Sequence, residues 1–302
     1  MLHERGEHVV GYSQSPGDNP LQSERIEDVD LHYGDVRNAD RLAELLRQVR
    51  PHTVYHLAAL SHVGNSWEHR RATFEVNLLG TEAVLDAVAQ TNREATVLLA
   101  SSGQVYGATD EASMPLLETA TTRPRSPYAA SKLCAEVLAR QTADAGLARA
   151  IIVRPFNFAG PGQDPTFVCS DFARQIATAE GSGGGSRIQV GNLAARRDFT
   201  HVRDMVRGFQ AAAEHGRSGA AYNLCSGQGV AIQDVLEGLL ALSNAEIVID
   251  VDAERFRPVD VPLFIGDRSR ARSELGWEPQ IPLADTLEQT LEYWRGRMQA
   301  RA

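Results

Sequence analysis

The chain has 302 residues, 43% of them hydrophobic and 23% charged, with a net charge of −9. That length fits one large domain or two coupled ones, and the ordinary apolar content excludes global disorder. The acidic balance argues against nucleic-acid binding, no apolar run reaches membrane-spanning length, and Met1-Leu2-His3-Glu4-Arg5 lacks a signal-peptide layout, so a soluble cytoplasmic protein is expected.

In chain order, His8 to Tyr12 reads as a strand. Asp40 to Val49 places Leu42, Leu45, Leu46 and Val49 at helical spacing and stops at Pro51. Thr53 to Ala58 is a short strand, Phe74 to Ala89 a helix with a broad apolar face, Ala95 to Ala100 a strand, Pro127 to Ala145 a helix and Ala150 to Val153 a strand. Near-continuous apolar strands separated by helices predict an α/β fold with a doubly wound parallel sheet of Rossmann type. After Val153 the prolines and glycines from Pro155 to Pro165 predict a long loop. A helix (Ser170 to Ala179), a strand (Arg187 to Val190), a helix near Gln233 to Leu242, a strand at Glu246 to Val251 and a last helix from Leu283 to Trp294 follow, with the glycine run 181–185 as a joint. The expected division is a dinucleotide-binding domain of residues 1–156 plus 192–230 and a smaller α/β substrate domain of 157–191 plus 231–302. Cys134, Cys169 and Cys225 lie far apart and read as buried thiols in a reducing compartment.

Of the 30 basic residues, Lys132 is the only lysine. A coding bias towards arginine can replace surface lysines at little cost, but not one needed as a compact ammonium. Tyr128-Ala129-Ala130-Ser131-Lys132 puts phenol and ammonium one helical turn apart, where the positive charge is expected to draw the phenol's pKa towards neutral. Such a tyrosine can exchange a proton with a carbonyl or alcohol oxygen. Alone the spacing is a weak signal, which a half-buried tyrosine beside a solvated lysine would also give. Upstream, the strand ending Leu98-Leu99-Ala100 runs into Ser101-Ser102, hydroxyls at the edge where parallel sheets bind ligands.

Together these residues resemble the extended short-chain dehydrogenase/reductases, over nearly the whole chain. Gly34-Asp35-Val36-Arg37 is similar to that family's adenine-contacting element, His56-Leu57-Ala58-Ala59 to its cofactor loop and Asn77 to the asparagine of its fourth helix. The resemblance makes Ser102, Tyr128 and Lys132 the catalytic triad, with Lys132 also holding the nicotinamide ribose. It gives cofactor contacts to Asp35, Val36, Leu57, Ala58, Ala59, Asn77, Tyr128, Lys132 and Pro155, and implies no metal. Arg154-Pro155-Phe156-Asn157, Arg197-Asp198-Phe199-Thr200-His201-Val202 and Arg257-Pro258-Val259-Asp260 resemble segments of nucleotide-sugar members. They imply substrate contacts for Asn157, for Arg197 and Arg257 on a diphosphate, and for Asp260 on a ribose hydroxyl, beside Ser102 and Gln104 nearer the reaction. The wording is most similar to the GDP-mannose branch, its 4,6-dehydratases and its GDP-4-keto-6-deoxy-mannose reductases. A dehydratase needs a carboxylate where Gln104 stands, and an amide exchanges no proton at neutral pH. The expected activity is therefore reduction of the C4 ketone of a GDP-6-deoxy-hexulose. The alternatives are the dehydratase and a non-catalytic nucleotide-sugar-binding protein descended from such an enzyme.

No carboxylate follows the strand at Val10-Gly11-Tyr12-Ser13-Gln14-Ser15 until Asp18, which favours NADP(H) over NAD(H). The resemblance also implies a homodimer through the helices bearing Asn77 and Tyr128. Against the family pattern, the glycine-rich loop, first strand and most of the first helix are missing, and Met1 to Gly6 reads as that helix's tail. Weak or absent NADP(H) binding by the 302 residues is the expectation that follows.

Overall fold

The structure is a computed structural model and describes residues 2–14, 29–107, 110–181, 186–255 and 261–300. The chain forms two compact units. One comprises Met1–Val105, Pro124–Val153 and Gly216–Ala221; the other comprises Tyr106–Arg123, Arg154–His215 and Tyr222–Ala302.

In the first unit β1 (Val10–Ser13) and β2 (Asp30–Tyr33) pair in parallel. Helix α1 (Ala39–Val49) begins where the Asn38 side chain accepts the Arg41 N–H, and ends at Arg50, whose left-handed backbone (φ 47°) precedes Pro51. Then come β3 (Thr53–His56), α2 (Arg70–Phe74), a π-helical turn (Glu75–Leu79), α3 (Gly80–Thr91), β4 (Thr96–Ala100), α4 (Pro127–Asp144) and β5 (Arg149–Pro155). Helix α4 starts at Ser126, whose hydroxyl accepts the Ala129 N–H, with Pro127 in the first turn, where its missing N–H costs nothing. Strands β3, β4 and β5 are parallel neighbours in register Tyr55↔Leu98↔Ile151. Among the described residues no ladder joins β1 to β3, so β1–β2 forms a sheet of its own.

The core of this unit lies between β4–β5 and the helices. Val97 and Leu99 from β4 and Ala150 and Ile152 from β5 meet Leu42 of α1, Val84, Ala87 and Val88 of α3, and Ala135 and Ala139 of α4. The alanines let α3 and α4 approach the sheet closely. Gly80 lets the start of α3 approach Val36, since a Cβ there would stand 2.7 Å from Val36 Cγ1.

The second unit contains β6 (Asn157–Ala159), α5 (Val168–Gly181), β7 (Ser186–Val190), β8 (Arg196–His201), α6 (Val202–His215), β9 (Ala221–Leu224), β10 (Gly229–Ala231), α7 (Ile232–Leu240), β11 (Ile247–Val251), β12 (Leu263–Phe264), α8 (Ser269–Leu275) and α9 (Leu283–Gln299). Strand β9, whose first residue belongs to the first unit, extends the parallel sheet beyond β5 in the order β3-β4-β5-β9. Strand β8 is the hub of the other sheet, parallel to β6 and β12 and antiparallel to β10, while β7 pairs with β11. Helices α5 and α9 are tied by Trp294 Nε1 donating to Ser170 Oγ at 2.9 Å and by the Arg295–Glu180 ion pair at 2.6 Å.

Three features differ from the sequence reading. Residues 106–123, 154–156, 192–215 and 222–230, expected in the first domain, fall in the second unit; for 192–215 and 222–230 the reason is that β8 finds its partners in β6, β10 and β12. The stretch after Val153 is not all loop, since Asn157–Ala159 is a strand on β8. Cys169 and Cys225 are buried as expected, but Cys134 is exposed on α4.

Candidate active site

The carboxyl end of β4 and the first turns of α4 bring Ser102, Tyr128 and Lys132 together in the first unit. All three are nearly buried, at 8%, 8% and 4% exposure. Ser102 Oγ accepts the backbone N–H of Gln104 at 3.1 Å, and the serine hydroxyl acts on the Tyr128 phenol, whose pKa it lowers. Gln104 itself sits half-buried on the short 3-10 turn Gly103–Tyr106. Lys132 Nζ donates to the carbonyl of Ala100 at 2.7 Å, and burial lowers its pKa from 10.5 to about 8.

The sequence reading expected the ammonium to bring the phenol towards neutral pH. The structure turns that direction round. Burial raises the pKa of Tyr128 above 10.0, and the Ser102 hydrogen bond offsets part of the rise. Tyr128 is thus a protonated phenol at neutral pH, the form that can give a proton away.

The cofactor candidates of this unit form a connected set. Leu57, Ala58 and Leu60 follow β3 as an exposed apolar run, held in place by Asn77. The Asn77 amide accepts the Leu60 N–H at 2.8 Å and donates to Leu60 O at 3.1 Å and to Ser131 Oγ at 3.0 Å; Ser131 in turn donates to Tyr128 O. Asn77 therefore couples the loop containing Ala59 to the turn of α4 between the tyrosine and the lysine. It does so from the π-helical turn, a feature that 3.6-residue periodicity could not reveal. Beneath it His56 is buried, and its pKa falls to about 3, chiefly by desolvation and then by the charge of Lys132. Thr81 gives its proton to Asn77 O, so the His56 contact at 2.9 Å is an Nε2–H donating to Thr81 Oγ1 and the ring is neutral.

Asp35, Arg37, Asn38, Ala39 and Asp40 line an open depression of about 490 Å³ at the start of α1. Arg37 holds Asp35 through its backbone N–H (2.9 Å), its Nε–H shared between the two carboxylate oxygens (2.9 and 3.0 Å) and its Nη2, and so keeps the carboxyl below the usual range, leaving Asp35 an ionised acceptor. An ionised acceptor beside an open depression, an exposed apolar run and a buried amine fit a dinucleotide: acceptor for an amino group, apolar contact, donor for a ribose. Val36 packs under Gly80, Pro155 closes β5, and Ser15 and Asp18 lie outside the described residues.

Of the substrate candidates, Asn157 and Arg197 lie in the second unit on the adjacent strands β6 and β8. Asn157 Nδ2 donates to Asp198 O at 3.3 Å, and Arg197 Nη1 donates to the carbonyls of Val261 at 2.6 Å and Arg196 at 2.9 Å. Arg257 and Asp260 lie outside the described residues. The sequence reading did not single out Asp198 as more than part of a motif. It is buried and accepts from Ser226 N, Ser226 Oγ, Gly227 N and Gly266 N, fixing the turn after β9. Among the described residues no group of three or more His, Cys, Asp or Glu side chains could hold a metal ion, and no helix is long and apolar enough to cross a membrane.

Residues 2–290 match the family model described as GDP-mannose 4,6 dehydratase. The chain is 36% identical over 267 residues to the GDP-6-deoxy-D-mannose reductase of Pseudomonas aeruginosa, covering 88% of each, and 32% identical over 294 residues to a GDP-mannose 4,6-dehydratase of Sinorhizobium fredii, covering 89% of this chain and 83% of the relative. Among solved structures, RMD from Pseudomonas aeruginosa complexed with NADPH superposes with a TM-score of 0.83 at 33% identity, over 96% of this chain and 98% of that one. The UDP-glucose 4-epimerase of Thermotoga maritima shares the fold, with a TM-score of 0.87 at 24% identity over 98% and 94%. With the serine, tyrosine and lysine assembled at one strand end and the match running almost end to end, the chain belongs to the GDP-mannose 4,6-dehydratase family of extended short-chain dehydrogenase/reductases.

Proposed function

We propose that this protein is an NADP(H)-dependent reductase of the C4 ketone of a GDP-6-deoxy-4-keto-hexose. The observation that carries the reading is Gln104, bonded through its backbone N–H to Ser102, in a site whose tyrosine, Tyr128, is a protonated phenol. The site offers a proton donor for a ketone oxygen, but no carboxylate at the position where loss of water from the sugar needs one. When bound, the reduced nicotinamide supplies a hydride. Ser102 orients the oxygen that receives the proton of Tyr128, and Lys132 holds the ribose and supplies positive charge. Arg197 and Arg257 are assigned to the diphosphate, Asn157 and Asp260 to further substrate contacts, and Asp35, Val36, Leu57, Ala58, Ala59, Asn77 and Pro155 to the cofactor. The dehydratase relatives motivate a second reading, in which GDP-mannose is converted without net cofactor consumption.

The test follows absorbance of NADPH with GDP-4-keto-6-deoxy-mannose. Oxidation dependent on the sugar nucleotide supports reduction. Conversion of GDP-mannose with the cofactor unchanged supports the dehydratase, and GDP-sugar binding with neither reaction supports a non-catalytic binder. We also place the protein in the cytoplasm as a homodimer joined through the helices bearing Asn77 and Tyr128, where Leu79 and Val137 are 45% and 47% exposed. Light scattering of the wild type against Val137→Glu tests that contact.

A further inference from the structure

One face of α4 carries Tyr128, Lys132 and Glu136, at successive steps of four residues, and each meets a different residue of the β4 end. Tyr128 responds to the Ser102 hydroxyl, which lowers its pKa, Lys132 bonds the carbonyl of Ala100, and Glu136 Oε1 accepts the hydroxyl proton of Ser101 at 2.6 Å. Glu136 is wholly buried, and its second oxygen accepts from Arg140 Nη2 at 2.9 Å. Ser101, 4% exposed, is also held by its own N–H, which donates to Val153 O of β5 at 2.9 Å. A carboxylate taken out of water is costly unless it is paired and hydrogen-bonded, so its presence here calls for a role that a small apolar side chain could not fill. A short charge-assisted hydrogen bond is directional and stiff. It fixes the rotation of Ser101 and, through the shared backbone, the direction of the next side chain.

We propose that Glu136 is a positioning residue, which through Ser101 keeps the Ser102 hydroxyl aligned on Tyr128. From the helix Lys132 holds the Ala100 carbonyl and Glu136 the Ser101 hydroxyl, and Ser102 is carried by the segment they hold. The kinetic consequence rests on the reductase reading; the alignment itself does not.

The test combines single and double variants with a measurement that needs no substrate. Ser101→Ala should lower kcat between about 10- and 100-fold, the loss expected when a reacting group is misaligned, with KM for the sugar nucleotide little changed. In a Ser102→Ala background the same substitution should have no further effect, because the group it aligns is gone. Glu136→Gln, which keeps an acceptor for Ser101, should recover most of what Glu136→Ala loses. Independently, the titration of Tyr128 followed by carbon-13 NMR of the labelled phenol, assigned with Tyr128→Phe, should move to higher pH in Ser101→Ala and likewise in Ser102→Ala. An equal loss of kcat with and without Ser102, or a Tyr128 titration unmoved in Ser101→Ala, overturns the proposal. If the wild type does not turn over the keto sugar, the reductase reading fails, while the Tyr128 titration still decides the role of Glu136.

Discussion

Replacing Lys132 by methionine separates what the ammonium does for the chemistry from what it costs the fold. In the unfolded chain the amine titrates at its ordinary value near 10.5; in the folded protein burial brings it to about 8. Below pH 8 the amine is charged in both states and the folded state bears the whole burial penalty. Between pH 8 and 10.5 the unfolded state binds more protons than the folded one, so stability recovers as pH rises, and above 10.5 the penalty is gone. At about 1.4 kcal/mol per pH decade, the penalty at pH 7 is about 3 kcal/mol. Methionine fills a similar volume without charge but gives up the hydrogen bond to Ala100 O, a loss of about 1–2 kcal/mol. The variant is therefore expected to be more stable than wild type by about 1–2 kcal/mol at pH 7 and less stable by about the same amount at pH 10.5. Urea unfolding of both proteins at the two pH values measures this, while NADPH-dependent turnover of the variant should drop by at least about 100-fold. A stability difference that is the same at both pH values would refute the assignment of Lys132 as a buried amine opposed by desolvation, whatever happened to turnover.

Tyr128→Phe should cost about 10²- to 10⁴-fold in kcat with cofactor affinity retained, measured by steady-state kinetics and by NADPH titration. Asn77→Ala removes three side-chain hydrogen bonds to Leu60 and Ser131, so it should lower stability by about 2–4 kcal/mol in urea and raise the KM for NADPH. His56, held neutral with a pKa of about 3, must be protonated on unfolding below pH 6.5; stability is thus expected to fall as pH drops from 6.5 towards 3, and His56→Asn should unfold in acid at a lower pH than wild type. Asp198→Asn replaces the acceptor of four donors by a group that can satisfy only part of them, for an expected loss of about 3 kcal/mol in urea.

What the sequence made legible follows from how local each signal is. The apolar runs of β4 and β5 and the faces of α1, α3 and α4 were readable because burial on a parallel sheet imposes its pattern on consecutive residues. The short strands β6, β9 and β10 and the two-residue β12 were not, since three or four residues carry no period and their identity comes from pairing with β5 or β8. The serine, tyrosine and lysine were visible from spacing and from the single lysine. The direction of the tyrosine's pKa was not, because helical spacing says that two groups share a face and nothing about how much water each has lost. Tyr128 and Lys132 do share a face of α4, yet the ammonium is directed at Ala100 O and desolvation prevails at the phenol.

The same stripe gives a physical reason for the one lysine in a chain whose other basic residues are all arginine. The position requires a donor that reaches a single backbone carbonyl in a closed space and whose charge can be tuned by burial. An ammonium satisfies both, and its pKa here is already drawn down to about 8. A guanidinium keeps its proton under any burial of this kind and carries five donors in a rigid fork, four of which would find no partner at the Ala100 carbonyl. Arginine at 132 would bury a fixed charge with four N–H donors left over, where lysine buries a tunable one with one bond made and two donors that a ribose can take. Surface arginines meet neither demand, so nothing opposes their replacing lysine everywhere else.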